Sequence, residues 1–133
     1  VSKSRLDVLS EAYQAKMMHQ ESQVLSYGEL FNMITAQGAR LLGLPQVGKI
    51  LPGYKADLAF WKLKERGLIP FDPTHPESIV VNLLGNGGRR VRDLMIDGKF
   101  VISNRLYNYV DESALLKKLQ AVHTRMQKAR SEI

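Results

Sequence analysis

Apolar residues recur along the chain at two different periods. Between residues 5 and 20, Leu6, Leu9, Tyr13 and Met17 are spaced by three and four, which places one stripe on an α-helix. A second helix opens at Ser26. Ser26 and Glu29 form a capping box, with Leu25 and Leu30 at the positions of a hydrophobic staple. Leu30, Ile34, Leu41 and Leu42 continue its buried stripe until Gly43, a C′ glycine with Pro45 just beyond, ends it. Gly38 lies inside this helix at a cost of about 1 kcal/mol relative to alanine, and the expected compensation is the close approach of another backbone.

Beyond Pro45 the period shortens. Gly48, Pro52 and Gly53 punctuate two turns, and residues 56–63 read as a strand rich in aromatic and apolar side chains. Residues 64–77 hold Pro70, Pro73 and Pro76 and are expected to form a loop. The run 78–84, with Ile79, Val80, Val81 and Leu83, fits either a strand or a short buried helix. Residues 91–103 predict a hairpin around a two-residue Asp97–Gly98 turn, with Leu94 and Ile96 facing Phe100 and Ile102. Asp111 caps a final helix whose stripe is Leu115, Leu119, Val122 and Met126, with Lys128 and Arg130 at its negative end.

Composition narrows what such a chain can be. Its 133 residues, 44% hydrophobic and 24% charged, suit one globular domain. Cysteine is absent, which rules out disulfides and thiolate metal sites. No apolar run approaches the about 18 residues of a membrane span, and the N-terminus lacks a signal-peptide layout, so a cytoplasmic protein without membrane contact is expected. The net charge of +6 comes from 19 scattered Lys and Arg residues without interleaved stacking aromatics. A solvated surface explains it better than nucleic-acid binding. Val1 stands where a methionine would open a complete chain, which suggests a piece of something longer.

The run GARLLGLPQVGKILPGYKADLAFW resembles a pattern near the end of the metal-dependent amidohydrolases, the group of cyclic deaminases and chlorohydrolases. Its positions are filled by Gly38, Ala39, Arg40, Leu42, Gly43, Leu44, Gly48, Ile50, Pro52, Gly53, Ala56, Asp57 and Leu58. Downstream, VRDLMIDGKFVISN, with Asp97 and Gly98, resembles the closing hairpin of the same family. The resemblance implies an α+β fragment: the last helices of a (β/α)8 barrel (residues 1–45), the C-terminal part of a small β-sandwich (46–110) and a closing helix (111–133). It also favours a short helix at 78–84. Ser4, Arg5, Leu6 and Asp7 occupy the place of a family N-x-L-D segment and depart from it.

Catalysis in that family depends on one or two divalent metals, zinc or iron, held by a His-x-His pair, two more histidines and an aspartate. The bound metal makes a water nucleophilic near neutral pH. Here only His19, His75 and His123 are present, none with a histidine at ligand spacing. No catalytic or metal-binding residue is therefore assigned. Asp7 is read as a first-turn carboxylate and Asp57 as an acceptor of backbone hydrogen bonds. Gly38, Arg40, Gly43, Gly48, Pro52, Gly53, Asp57, Asp97 and Gly98 are assigned as a structural motif.

The resemblance thus implies a piece, inactive alone and holding no cofactor, of a hydrolase that deaminates or dechlorinates a small nitrogen heterocycle. Helices shaped to cover a barrel would expose their stripes without it, so self-association as a dimer or by swapped elements is expected. The alternative is a non-catalytic binding or oligomerisation module that engages an acidic protein partner.

Overall fold

The computed structural model describes residues 7–19, 25–85 and 91–131. Helix α1, Val8–Met18, begins later than the periodicity of residues 5–20 predicts. Asp7 sits before its first turn as the N-cap, and its carboxylate accepts the amides of Leu9 and Ser10, each at 3.2 Å. An aspartate that can satisfy two otherwise unpaired amides fixes the start of a helix at that point. Leu6 and the segment 20–24 lie outside the described residues, and His19 is the C-cap.

The second helical rod carries the predicted capping box. The Glu29 amide donates to Ser26 Oγ at 3.1 Å, and the Ser26 amide donates to Glu29 Oε2 at 2.7 Å. The rod is α2 (Tyr27–Asn32), a π turn (Met33–Gln37) and α3 (Gly38–Leu41) in succession. Gly43, at φ 75°, closes it. The amides of Gly43 and Leu44 return to the carbonyls of Arg40 and Ala39, the two bonds of a Schellman ending.

The π turn corrects the reading of Gly38. A Cβ there would lie 2.8 Å from the carbonyl oxygen of Met33, five residues back in the same rod. The helix itself therefore requires the glycine. The glycine that admits a second backbone is Gly48, whose Cβ would lie 2.8 Å from the N and Cα of Ala36 and from the C of Thr35.

Helix α4, Glu77–Gly85, resolves the ambiguous run in favour of a helix, with Leu83 and Leu84 buried. Leu30, Leu84 and Ala12 bring α1, the second rod and α4 onto one core, flanked by Leu9, Tyr13, Ile34 and Val80. Leu25, at the staple position, packs against the same cluster. The loop before α4 is tied down by Asn82, whose Nδ2 donates to the carbonyls of Leu68 and Pro70.

Four strands form one antiparallel sheet in the order β1 (Leu58–Phe60), β2 (Asp93–Ile96), β3 (Lys99–Ser103) and β4 (Leu106–Tyr107). β1 is shorter than the predicted strand over 56–63, because a strand extends only as far as its partner. The β2–β3 hairpin turns back opposite Ala56 and Asp57, and β2 begins opposite Phe60. Asp97 and Gly98, at φ 48° and 77°, make the two-residue turn. Of the facing pairs predicted, Leu94 with Ile102 is present, while Phe100 faces Met95 and Ile96 faces Lys99. A register shift leaves Val101 outside the pairing. Phe100, opposite Met95, lies against Phe60, their ring centroids 6.1 Å apart. A second two-residue turn, Asn104–Arg105 at φ 48° and 68°, joins β3 to β4.

Helix α5, Glu112–Ser131, starts at Asp111, whose Oδ1 accepts the Ala114 amide at 2.9 Å. Among the described residues no other element packs extensively along it, and its stripe is open to solvent. The whole chain exposes 10979 Å², against about 7,000 Å² for a folded monomer of this mass. No helix among the described residues is long and apolar enough to cross a membrane.

Among the described residues, three carboxylates are held below their ordinary pKa by hydrogen bonds to the charged form. Glu29 is lowered by the Ser26 amide, then by its hydroxyl and by Lys16. Asp72 is lowered by the Thr74 hydroxyl and amide and by His75, and Asp93 by the Asn104 amide and Arg92. Depressed folded-state values stabilise the fold above the unfolded carboxylate values, about 4, and that stabilisation disappears as pH falls through the folded ones. Helical circular dichroism is therefore expected to hold from neutrality to about pH 5 and fall below about pH 4. Asp93→Asn should blunt the acid loss, and a main transition near pH 6 would contradict these assignments.

Candidate functional site

Gly48, Pro52, Gly53, Asp57, Asp97 and Gly98 of the motif gather where the π turn meets the sheet. Gly48 lets the loop after the second rod lie against the π turn, and the Lys55 amide returns to the Gln46 carbonyl at 2.8 Å to close that loop. Within it, the Tyr54 amide donates to the Leu51 carbonyl around Pro52 and Gly53, the latter at φ 84°. Proline followed by a left-handed glycine is the pattern of a type II turn.

Asp57 then joins the two signature stretches. Its Oδ1 accepts the Asp97 amide at 2.7 Å, while the Ala56 carbonyl accepts the Gly98 amide at 3.1 Å. Lys55 Nζ lies 3.6 Å from Asp97 Oδ1 on the solvent side. Hydrogen-bonded to the turn amide, the Asp57 carboxylate braces the turn. Arg40 and Gly43 lie apart from this junction, at the exposed end of the second rod.

A groove of about 520 Å³ runs between the helical layer and β1. Leu9, Phe31, Ile34, Ile50, Leu58 and Trp61 make its walls, and Thr35, Lys49 and Asp57 supply the polar atoms at its margin. It continues along the second rod past Ala39, Leu42 and Leu44. Thr35 went unnoticed in the sequence. Its hydroxyl donates to the Phe31 carbonyl four residues back, at 2.7 Å, beside the π turn. The only available signal was a threonine three residues before a glycine inside a helical pattern.

The lining is apolar, so the groove is suited to burying another apolar surface rather than to moving protons. His75 hydrogen-bonds Asp72 at 2.8 Å in the loop before α4, His123 is exposed on α5, and His19 ends α1. Among the described residues, no three His, Asp or Glu side chains converge as a metal site requires. The donor set of the described residues does not fit a catalytic zinc or iron.

Comparison with known proteins gives one consistent result. The sequence pattern of the amidohydrolase family matches residues 1–101. A 5-methylthioadenosine/S-adenosylhomocysteine deaminase from Syntrophomonas wolfei is 32% identical over 124 residues, covering 88% of this chain and 27% of that protein. A 5'-deoxyadenosine deaminase from Methanobrevibacter smithii is 29% identical over 122 residues, with 88% and 27% covered. Among solved structures, a zinc-bound adenosine deaminase from Xanthomonas campestris superposes with a TM-score of 0.73 at 26% identity, over 91% of this chain and 27% of that one. The zinc complex of atrazine chlorohydrolase from Arthrobacter aurescens shares the fold, with a TM-score of 0.69 at 23% identity over 85% and 25%. The chain spans about a quarter of the length of the curated relatives it matches.

Proposed function

Because the chain belongs to the amidohydrolase family, we propose that it is the C-terminal part of a longer metal-dependent hydrolase that deaminates an adenosine-type heterocycle. The surface carries this reading. The 10979 Å² exposed exceeds the area of a folded monomer by roughly 4,000 Å², and large apolar side chains such as Leu41, Leu42 and Ile50 stand in solvent around the groove. A standard interface covers only about 800 Å² of each partner. A body the size of the missing three-quarters of a relative matches the open area better than a small ligand does.

On this reading residues 7–45 are the last barrel helices, and the four-stranded sheet is one layer of a sandwich. The zinc or iron, which would generate the attacking hydroxide, belongs to residues outside this chain. The adenosine-derived names of the deaminase relatives support a purine nucleoside as substrate, and dechlorination of a triazine is the second choice. By itself the chain is inactive and self-associates through the uncovered groove. No observation favours the reading as a free-standing binding module.

The test is direct. The 133-residue chain should release no ammonia from 5'-methylthioadenosine and hold no stoichiometric zinc or iron, whereas the reading frame extended upstream should do both. Deamination by the short chain would overturn the proposal, and so would an upstream frame without a metal-binding histidine pair.

A further inference from the structure

Helix α5 has a seam without a partner and flanks of one sign. Leu115, Leu119, Val122 and Met126 follow one another at steps of four, three and four, the spacing of the inner positions of a coiled coil. They are 44% to 67% exposed. The positions bordering such a seam are those just after Leu115 and Val122 and just before Leu119 and Met126. Leu116, His123, Lys118 and Arg125 fill them, and Arg130 follows one turn on. None of these is acidic.

That pattern argues against a second copy as the occupant. In a parallel pair of α5 helices Arg125 would face Arg130 of the other copy, and in an antiparallel pair Lys118 and Arg125 would face their own kind. Lys118 and Arg125 on one border and Arg130 on the other, with no acid opposite them, oppose pairing, since border charges set the choice of partner. The mean hydropathy of the helix is low and it holds no Trp, Tyr or Phe, which is a poor match to a helix lying in a lipid surface. The relatives carry about three-quarters of their length outside the matched segment.

We infer that α5 docks in an apolar groove edged by Asp and Glu on the part of the longer polypeptide outside this chain. The inference rests on the proposed function for the identity of the partner, while the chemistry of the groove follows from α5 alone. Leu115, Leu119, Val122 and Met126 fill the groove, and Lys118, Arg125 and Arg130 meet its carboxylate rims.

The experiment uses the 133-residue chain and two labelled synthetic helical peptides with identical leucine seams, one flanked by glutamates and the other by lysines. Anisotropy should show binding of the glutamate-flanked peptide only, weakening as salt rises from about 50 mM to about 500 mM. Lys118→Glu with Arg125→Glu should lower that affinity by at least about tenfold, and Leu119→Asp should remove it. Both variants leave the body of the fold untouched, because no described element packs extensively along α5. Equal binding of the two peptides would overturn the inference. So would a chain dimer that becomes monomeric on Leu119→Asp, or comparable binding to phosphatidylserine vesicles. The peptide arms do not depend on an upstream reading frame, so failure of the proposed function and failure of the docking chemistry are read separately.

Discussion

Gly48→Ala should destabilise the chain by on the order of 3 kcal/mol or more. Two effects add. Gly48 has φ 87°, where an L side chain costs about 1–2 kcal/mol. The new methyl group would also sit 2.8 Å from the N and Cα of Ala36 and the C of Thr35. Those are backbone atoms of the π turn, so no rotamer change relieves the overlap. The loop must lift or the rod must shift, and either movement opens the groove and pulls Asp57 from the Asp97 amide. Gly53→Ala is the control. Its φ is 84°, but nothing lies within 4 Å of the added carbon, so it should cost only the conformational part, about 1–2 kcal/mol. Urea unfolding followed by Trp61 fluorescence measures both. Equal losses would mean that the loop does not press on the π turn in solution.

The features legible in the sequence are those fixed by neighbouring residues. Ser26 with Glu29 closes a capping box within one turn, Gly43 ends a helix beside its own carbonyls, and Asp97–Gly98 sets a hairpin turn from its own φ values. The features that escaped depend on partners far along the chain. The length of β1 is decided by where β2 begins and turns, more than 30 residues later, and the one-residue shift that puts Ile102 rather than Val101 opposite Leu94 has no local marker. The Asn104–Arg105 turn was hidden because neither residue is a glycine.

The π turn was hidden for a different reason, since one wider turn leaves the apolar stripe nearly unchanged. Gly38 was a visible oddity, but its explanation lay five residues back, at Met33, rather than in another element. The groove was not legible at all. Its walls come from α1, the second rod and β1, and only the folded chain brings Leu9, Phe31 and Trp61 together. The family itself was legible from the run that holds Gly48, Pro52, Gly53 and Asp57, and in this fold each of those residues serves a specific turn, close approach or hydrogen bond.

Leu30→Ala is the second large effect expected, a loss of about 2–5 kcal/mol. Leu30 is 2% exposed and touches the shared core of α1 and α4, where a cavity cannot be filled without moving whole helices. The loss is large relative to the total, because single domains are stable by only about 5–15 kcal/mol and this core is small. Leu42 belongs to the same predicted stripe but is 78% exposed, so Leu42→Ala should change the stability of this chain by less than about 0.5 kcal/mol. In the longer polypeptide proposed above, the same substitution should carry a cost typical of a buried leucine. Urea midpoints of the two variants, measured in this chain and in the extended one, separate a position that holds this piece together from one that waits for a cover. If Leu42→Ala were as damaging as Leu30→Ala in the 133-residue chain diluted until it is monomeric, the groove would be filled by the chain itself, and the case for a missing body would fall.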